Sequence, residues 1–130
     1  MRSSEPCPCG AGLLFGACCL PLHNGERQAE TAEQLMRSRY SAYAVGDHVY
    51  AWRSWHPRTR PDDLSAENSI RWTRLEIVAV IGGGPDDDTG EVEFRAHYRD
   101  GDRSGVLHER SRFVVRARRW FYLDGDLPPA

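Results

Sequence analysis

The segment GEVEFRAHYRDG, residues 90–101, alternates without a break. Val92, Phe94, Ala96 and Tyr98 fall on one side, and Glu91, Glu93, Arg95, His97 and Arg99 on the other. Successive side chains of a strand point to opposite faces, so this period of two predicts a half-buried strand. The neighbouring segments read the same way. RWTRLEIVAVIGGG (71–84) puts Leu75, Ile77, Ala79 and Ile81 on one face. PDDDTG (85–90) is an exposed turn with solvated acids, and DGDRSG (100–105) is a hairpin turn. VLHERSRFVVRA (106–117) and RRWFYLDGD (118–126) complete about four antiparallel strands.

One of these strands is odd. Over 106–115, Leu107, Glu109, Ser111, Phe113 and Val115 share a face, and Val106, His108, Arg110, Arg112 and Val114 share the other. The first face is the apolar one, so Glu109 is carried toward the core.

Upstream of the strands the period becomes helical. In TAEQLMRSRYSAYAVGD (31–47), Thr31 is a candidate N-cap and Gly46 a stop. Ala32, Leu35, Met36, Tyr40 and Tyr43 form one apolar arc, with Arg39 in its middle and Arg37 toward its edge. An unpaired buried charge is very costly, whereas a fork-paired one is tolerated. The expectation is therefore that Arg39 and Glu109 meet between helix and sheet. A second helix is expected over about 47–55, ended by Pro57 after His56. HPRTRPDDLS (56–65) reads as a turn and then a short helix start capped by Asp62 or Ser65. LPLHNGE (20–26) reads as a turn-rich link. Helices followed by strands define an α+β layout, with helices packed on one face of a curved antiparallel sheet.

The chain has 130 residues, the size of one ordinary domain, with 40% hydrophobic and 28% charged residues. No apolar run reaches the ~20 residues of a membrane span. The start, MRSSEPCPCG, has no apolar core of a signal peptide, so the cytoplasm is the expected location. A net charge of -2 argues against simple polyanion binding. All 17 basic residues are Arg, so every cation is a planar fork that stays charged. Arg112, Arg116, Arg118 and Arg119 cluster in RFVVRARRW and read as a solvated strand face.

CPCGAGLLFGACC (7–19) holds every cysteine: Cys7, Cys9, Cys18 and Cys19. A reducing cytoplasm disfavours disulfides. The CxC and CC spacings are not the CxxC of a redox dithiol. Two pairs of thiolates within one short segment suit tetrahedral zinc, and Gly10, Gly12 and Gly16 let the chain fold back between them. Four protein ligands leave no open coordination position, so the expected metal is one structural zinc per chain.

The pattern CxC, eight residues, CC resembles the SEC-C motif, the small zinc knuckle named for the C-terminus of SecA. Phe15 keeps the aromatic position of that motif. Ala11 stands where Ser is usual, and LLFGA replaces a stretch that is often basic, which removes the contacts of SecA-tail docking. TAEQLMRSRYSAYAVGD, WHP, GEVEFRAHYRDG, LHERSRFV and RWFYLDGD, together with the knuckle, resemble the YchJ family from Cys7 to about Asp126. That resemblance implies a knuckle and link over 1–26. It also implies a nuclear transport factor 2-like domain over 27–127, a bent sheet wrapped around helices with a cavity at its open end. It implies no particular reaction.

Three functions follow as expectations. The closed thiolate site and the lack of a nucleophile motif point first to a non-catalytic protein-interaction adaptor, with a protein partner. The alternative is a small-molecule binder or acid–base enzyme using the cavity, with Arg39, Tyr43, His56, Trp72, Glu109 and Ser111 as candidates and Glu109 as acid or base. RNA or ribosome association is the minor alternative, opposed by the acids at 86–88 and 124–126.

Overall fold

A computed structural model describes residues 1–64 and 70–128. A single 3-10 turn, Phe15–Ala17, precedes α1 (Leu20–His23), α2 (Ala32–Val45) and α3 (His48–Arg53). Four strands follow: β1 (Ile70–Gly82), β2 (Thr89–Asp100), β3 (Arg103–Arg116) and β4 (Arg119–Asp126). They form one antiparallel sheet in the order β1-β2-β3-β4, so the α+β expectation holds.

Helix α2 begins and ends where the sequence says. Thr31 accepts a hydrogen bond from the Gln34 amide, and Gly46 adopts the left-handed conformation that closes the helix. Asp47 caps α3 by accepting from the Tyr50 amide. The link over 20–26 differs from expectation: its first four residues form α1. Pro21 is tolerated because it lies in the first helical turn, and burial of Leu22 and His23 holds the helix in place. Residues 61–64 are not helical, and the proposed cap Ser65 lies outside the described residues.

The core joins α2 to the inner sheet face. Ala32, Leu35, Met36 and Tyr40 pack on Val92, Phe94, Ala96, Phe113 and Trp120. Strand β2 thus buries the side its alternation predicts. Strand β1 does not keep its predicted face. Bulges interrupt its pairing with β2 between Trp72 and Arg74 and between Ile77 and Ala79. Each bulge adds a residue and so reverses the alternation beyond it. Leu75 and Ile77 pack on the core, but Ala79 and Ile81 pair with Glu93 and Glu91 of the outer face, and Ile81 is exposed.

The outer face is charged and paired across strands. Glu93 accepts from Arg110 and lies 2.7 Å from His108, and Arg112 binds Asp124 and Asp126. These contacts hold the Glu93 carboxyl below its ordinary range, chiefly through the Arg110 hydrogen bond. Arg116, Arg118 and Arg119 are exposed around the β3–β4 turn, where Ala117 and Arg118 both have positive φ.

The edge of the sheet meets the start of α2 through glycines. The Ala32 amide donates to Gly83 O, and a Cβ on Gly90 would lie 2.5 Å from Gly83 Cα and 3.1 Å from Ala32 Cβ. Gly90→Ala is therefore expected to cost about 1–3 kcal/mol through overpacking, as measured by urea unfolding.

Candidate functional site: a thiolate cluster and an aromatic cavity

The two cysteine pairs are brought together by a fold-back of the chain. Pro6 bridges Leu14, the Cys7 amide donates to Leu13 O, and the Phe15 amide donates to Glu5 O. Gly10 and Gly12 take positive φ at the bend. As a result the four sulfurs lie within 4.8 Å of one another. Cys9 Sγ is 3.6 Å from Cys18 Sγ, and Cys18 Sγ is 3.9 Å from Cys19 Sγ. A tetrahedral ion with metal–sulfur bonds near 2.3 Å requires sulfur–sulfur edges of about 3.8 Å. All four cysteines are free thiols, so donor set and spacing both fit such an ion.

Crowding four thiols splits their acidities. Hydrogen bonds from Cys19 and Cys9 push Cys7 well down, while burial and the neighbouring sulfur charge push Cys18 up to about 12. Its hydrogen bond to Cys7 raises Cys19.

The cluster is docked on α2. Arg37 Nη1 donates to Cys9 O at 2.6 Å, and Ser41 Oγ lies 3.5 Å from Cys7 Sγ. Phe15 is buried against the cysteines and meets His23 edge-on, with ring centroids 5.6 Å apart. His23 in turn donates from Nε2 to Ser38 O at 2.8 Å and contacts the Tyr50 ring. Nothing in the sequence marks Ser41 and His23 as contacts of the cluster. An Arg at the edge of an apolar arc was the one available sign.

The second site lies on the other side of α2. A cavity of about 180 Å³ is walled by residues of α2, the inner sheet face and Trp55. Five of the six candidates line it: Arg39, Tyr43, Trp72, Glu109 and Ser111. His56 does not. Its amide donates to Tyr122 O, its Nδ1 accepts from the Arg58 amide, and its ring packs on Phe121 of the outer face. The reason is the parallel bridge between Trp55 and Tyr122, which turns Trp55 inward and its neighbour outward.

Arg39 and Glu109 share the cavity but form no ion pair, which corrects the expected pairing. Arg39 donates from Nη1 to Ala51 O at 2.5 Å and to Ser54 Oγ at 2.7 Å. These acceptors lie at the C-terminal end of α3, where a cation is favoured. The guanidinium carbon sits 4.7 Å from the Tyr122 ring centroid, 5.4 Å from Trp55 and 5.9 Å from Tyr43. Burial lowers the Arg39 pKa, and the surrounding tyrosines and Glu109 oppose that shift. Glu109 instead accepts from Ser111 Oγ at 2.5 Å and from Tyr122 Oη at 3.2 Å, both through Oε2. Tyr122 therefore touches both charges, its ring face on Arg39 and its hydroxyl on Glu109. Burial and the Glu109 charge keep its phenol protonated well above the usual range. Gly125 of β4 leaves room for the carboxylate, since a Cβ there would lie 2.7 Å from Glu109 Oε2. Tyr122 and Trp55 were missed in the sequence because their roles depend on the bridge between them.

A docked four-cysteine knuckle and a curved sheet closing a cavity over α2 define a SEC-C motif protein with an NTF2-like domain. The family model described as YchJ, middle NTF2-like domain, matches residues 31–125, and the SEC-C motif matches residues 4–21. The chain belongs to the YchJ family, whose members include the UPF0225 proteins. A UPF0225 protein of Corynebacterium glutamicum is 48% identical over 121 residues, covering 93% of this chain and 96% of its own length. One from Streptomyces coelicolor is 49% identical over 123 residues, covering 95% and 96%. The solution structure of a SEC-C motif containing protein from Rhodopseudomonas palustris is similar with a TM-score of 0.83 at 32% identity, covering 95% of this chain and 98% of that one. The crystal structure of one from Psychrobacter arcticus gives 0.78 at 29% identity, covering 98% and 85%. Among the described residues no helix is long and apolar enough to cross a membrane.

Removing the Tyr122 hydroxyl tests the coupling of the two charges. Tyr122→Phe keeps the ring over Arg39 and deletes a hydrogen bond to a carboxylate, so urea unfolding is expected to show a loss of about 1–2 kcal/mol. Glu109→Gln in the same background should then cost less than it does alone, in a double-mutant cycle.

Proposed function

We propose that the chain is a small-molecule binding protein whose cavity is held in shape by α2 and whose N-terminal knuckle carries one structural zinc. The observation behind the ligand reading is that an aromatic-lined cavity is lined by both a carboxylate and a guanidinium that do not pair with each other. Concave, mostly apolar sites with a few converging polar groups are the usual form of a ligand pocket. Glu109 is the polar centre, positioned by Ser111 and Tyr122, and it is the group able to accept a proton from a bound molecule. Zinc is favoured over other ions because four thiolates at tetrahedral spacing suit it. When bound it would tie the two arms of the knuckle together. With four protein ligands it offers no position for substrate.

A protein-partner role is the second reading. It is favoured by Leu13 and Leu14, which are 53% and 52% exposed at the tip of the knuckle. They stand where a partner would meet a rigid, metal-tied turn.

Native mass spectrometry of protein purified without chelator separates these readings. One zinc per chain is expected, lost on Cys9→Ser, with unfolding at a lower temperature. A retained small molecule is expected as well, lost on Leu107→Phe, which fills the cavity while leaving the zinc. A chain that carries zinc but retains no passenger, and whose Tm no small molecule raises, would overturn the ligand reading and favour the partner role. Absence of metal would overturn the zinc assignment.

A further inference from the structure

We infer that the cavity takes a neutral, flat, single-ring heterocycle with a cyclic-amide edge, its N–H on Glu109 and its C=O toward Arg39. The inference rests on the ligand-binding reading above and names its chemical class. Size is the first support. The cavity, about 180 Å³, is slightly larger than the roughly 150 Å³ apolar cavity that accepts one benzene ring. Room remains for one ring and its small substituents. Tyr40, Tyr43, Trp72 and Tyr122 supply the faces and edges a flat ring prefers.

Unspent hydrogen bonds are the second support. Both donors to Glu109 arrive at Oε2, so among the described residues Oε1 accepts nothing. Arg39 donates through Nη1 alone, leaving Nη2 and Nε unspent among the described residues. The lining residues thus keep an unused carboxylate oxygen and unused guanidinium donors on either side of Tyr122, and a hydrocarbon ring would use neither. A ligand with adjacent donor and acceptor satisfies both sides at once.

Charge is the third support. Arg39 and Glu109 already cancel within the site, so a charged ligand would bring an uncompensated charge into an apolar enclosure. This disfavours a carboxylate ring such as benzoate and a cationic ring such as benzamidinium.

The test is an NMR titration of the full, zinc-loaded chain with 2-pyridone, N-methyl-2-pyridone, benzoate, benzamidinium and benzene. The Trp55 indole N–H signal, identified by its loss in Trp55→Phe, reports the site directly. Pyridone is expected to shift that signal and to bind about tenfold more tightly than its N-methyl form, which lacks the donor for Glu109. Equal binding of the two pyridones would overturn the amide-edge assignment. Tighter benzoate or benzamidinium would overturn neutrality, and benzene alone binding would overturn the polar anchoring. In each of those cases the cavity would still be a ligand site. If none of the five shifts the Trp55 signal, the ligand-binding reading falls, and the inference with it.

Discussion

Helix α2 is buried on every side that matters, and both sites are built on it. One side carries Arg37 and Ser41, which reach Cys9 O and Cys7 Sγ. Another carries Met36, Arg39, Tyr40 and Tyr43, which line the cavity. Close approach on the remaining sides requires small residues, and Ala32, Ser38, Ser41 and Ala42 are fully enclosed. The two serines are tolerated inside because each has a partner. Ser38 donates to Leu35 O and meets Tyr50 Oη at 2.8 Å, while Ser41 faces the cysteines. A helix so enclosed cannot shift toward the knuckle without moving the cavity wall, because packed interiors resist deformation.

The cavity exists because Arg39 is satisfied from behind. Its hydrogen bonds run to the end of α3, and its open faces are covered by Tyr122, Trp55 and Tyr43. A guanidinium held in this way does not need Glu109 as a counterion at contact distance. Glu109 is then free to be positioned by neutral hydroxyls, and the space between the two groups stays open. Had the two charges closed on each other, a tight ion pair would fill the place where a ligand is proposed to sit.

Much of this was legible before any coordinates. The cap and stop of α2, the buried side of β2 and the inward direction of Glu109 all follow from residue type and period. The cysteine spacing picked out the four residues whose sulfurs the fold brings within 4.8 Å of one another, a cluster that could hold a metal ion. Arg39, Tyr43, Glu109 and Ser111 were legible because a charge or hydroxyl on an apolar face is a local anomaly that a sequence displays. The misses share a different cause. His56 was misplaced, and Tyr122 and Trp55 overlooked, because the bridge between residues 55 and 122 joins segments far apart in the chain.

The sequence by itself determined which elements form and which side of most of them is apolar, because those properties depend on neighbours a few residues away. Tertiary structure decided the rest. The bulges that turn Ala79 and Ile81 outward arise from the pairing of β1 with β2, not from β1 alone. The partner of Arg39 was decided by α3 arriving with acceptors in place, which satisfied the cation more closely than a carboxylate across the cavity. Hydrogen bonds and charge pairs depend on distances of a few ångströms between remote residues. Those distances are fixed only when the whole core has packed.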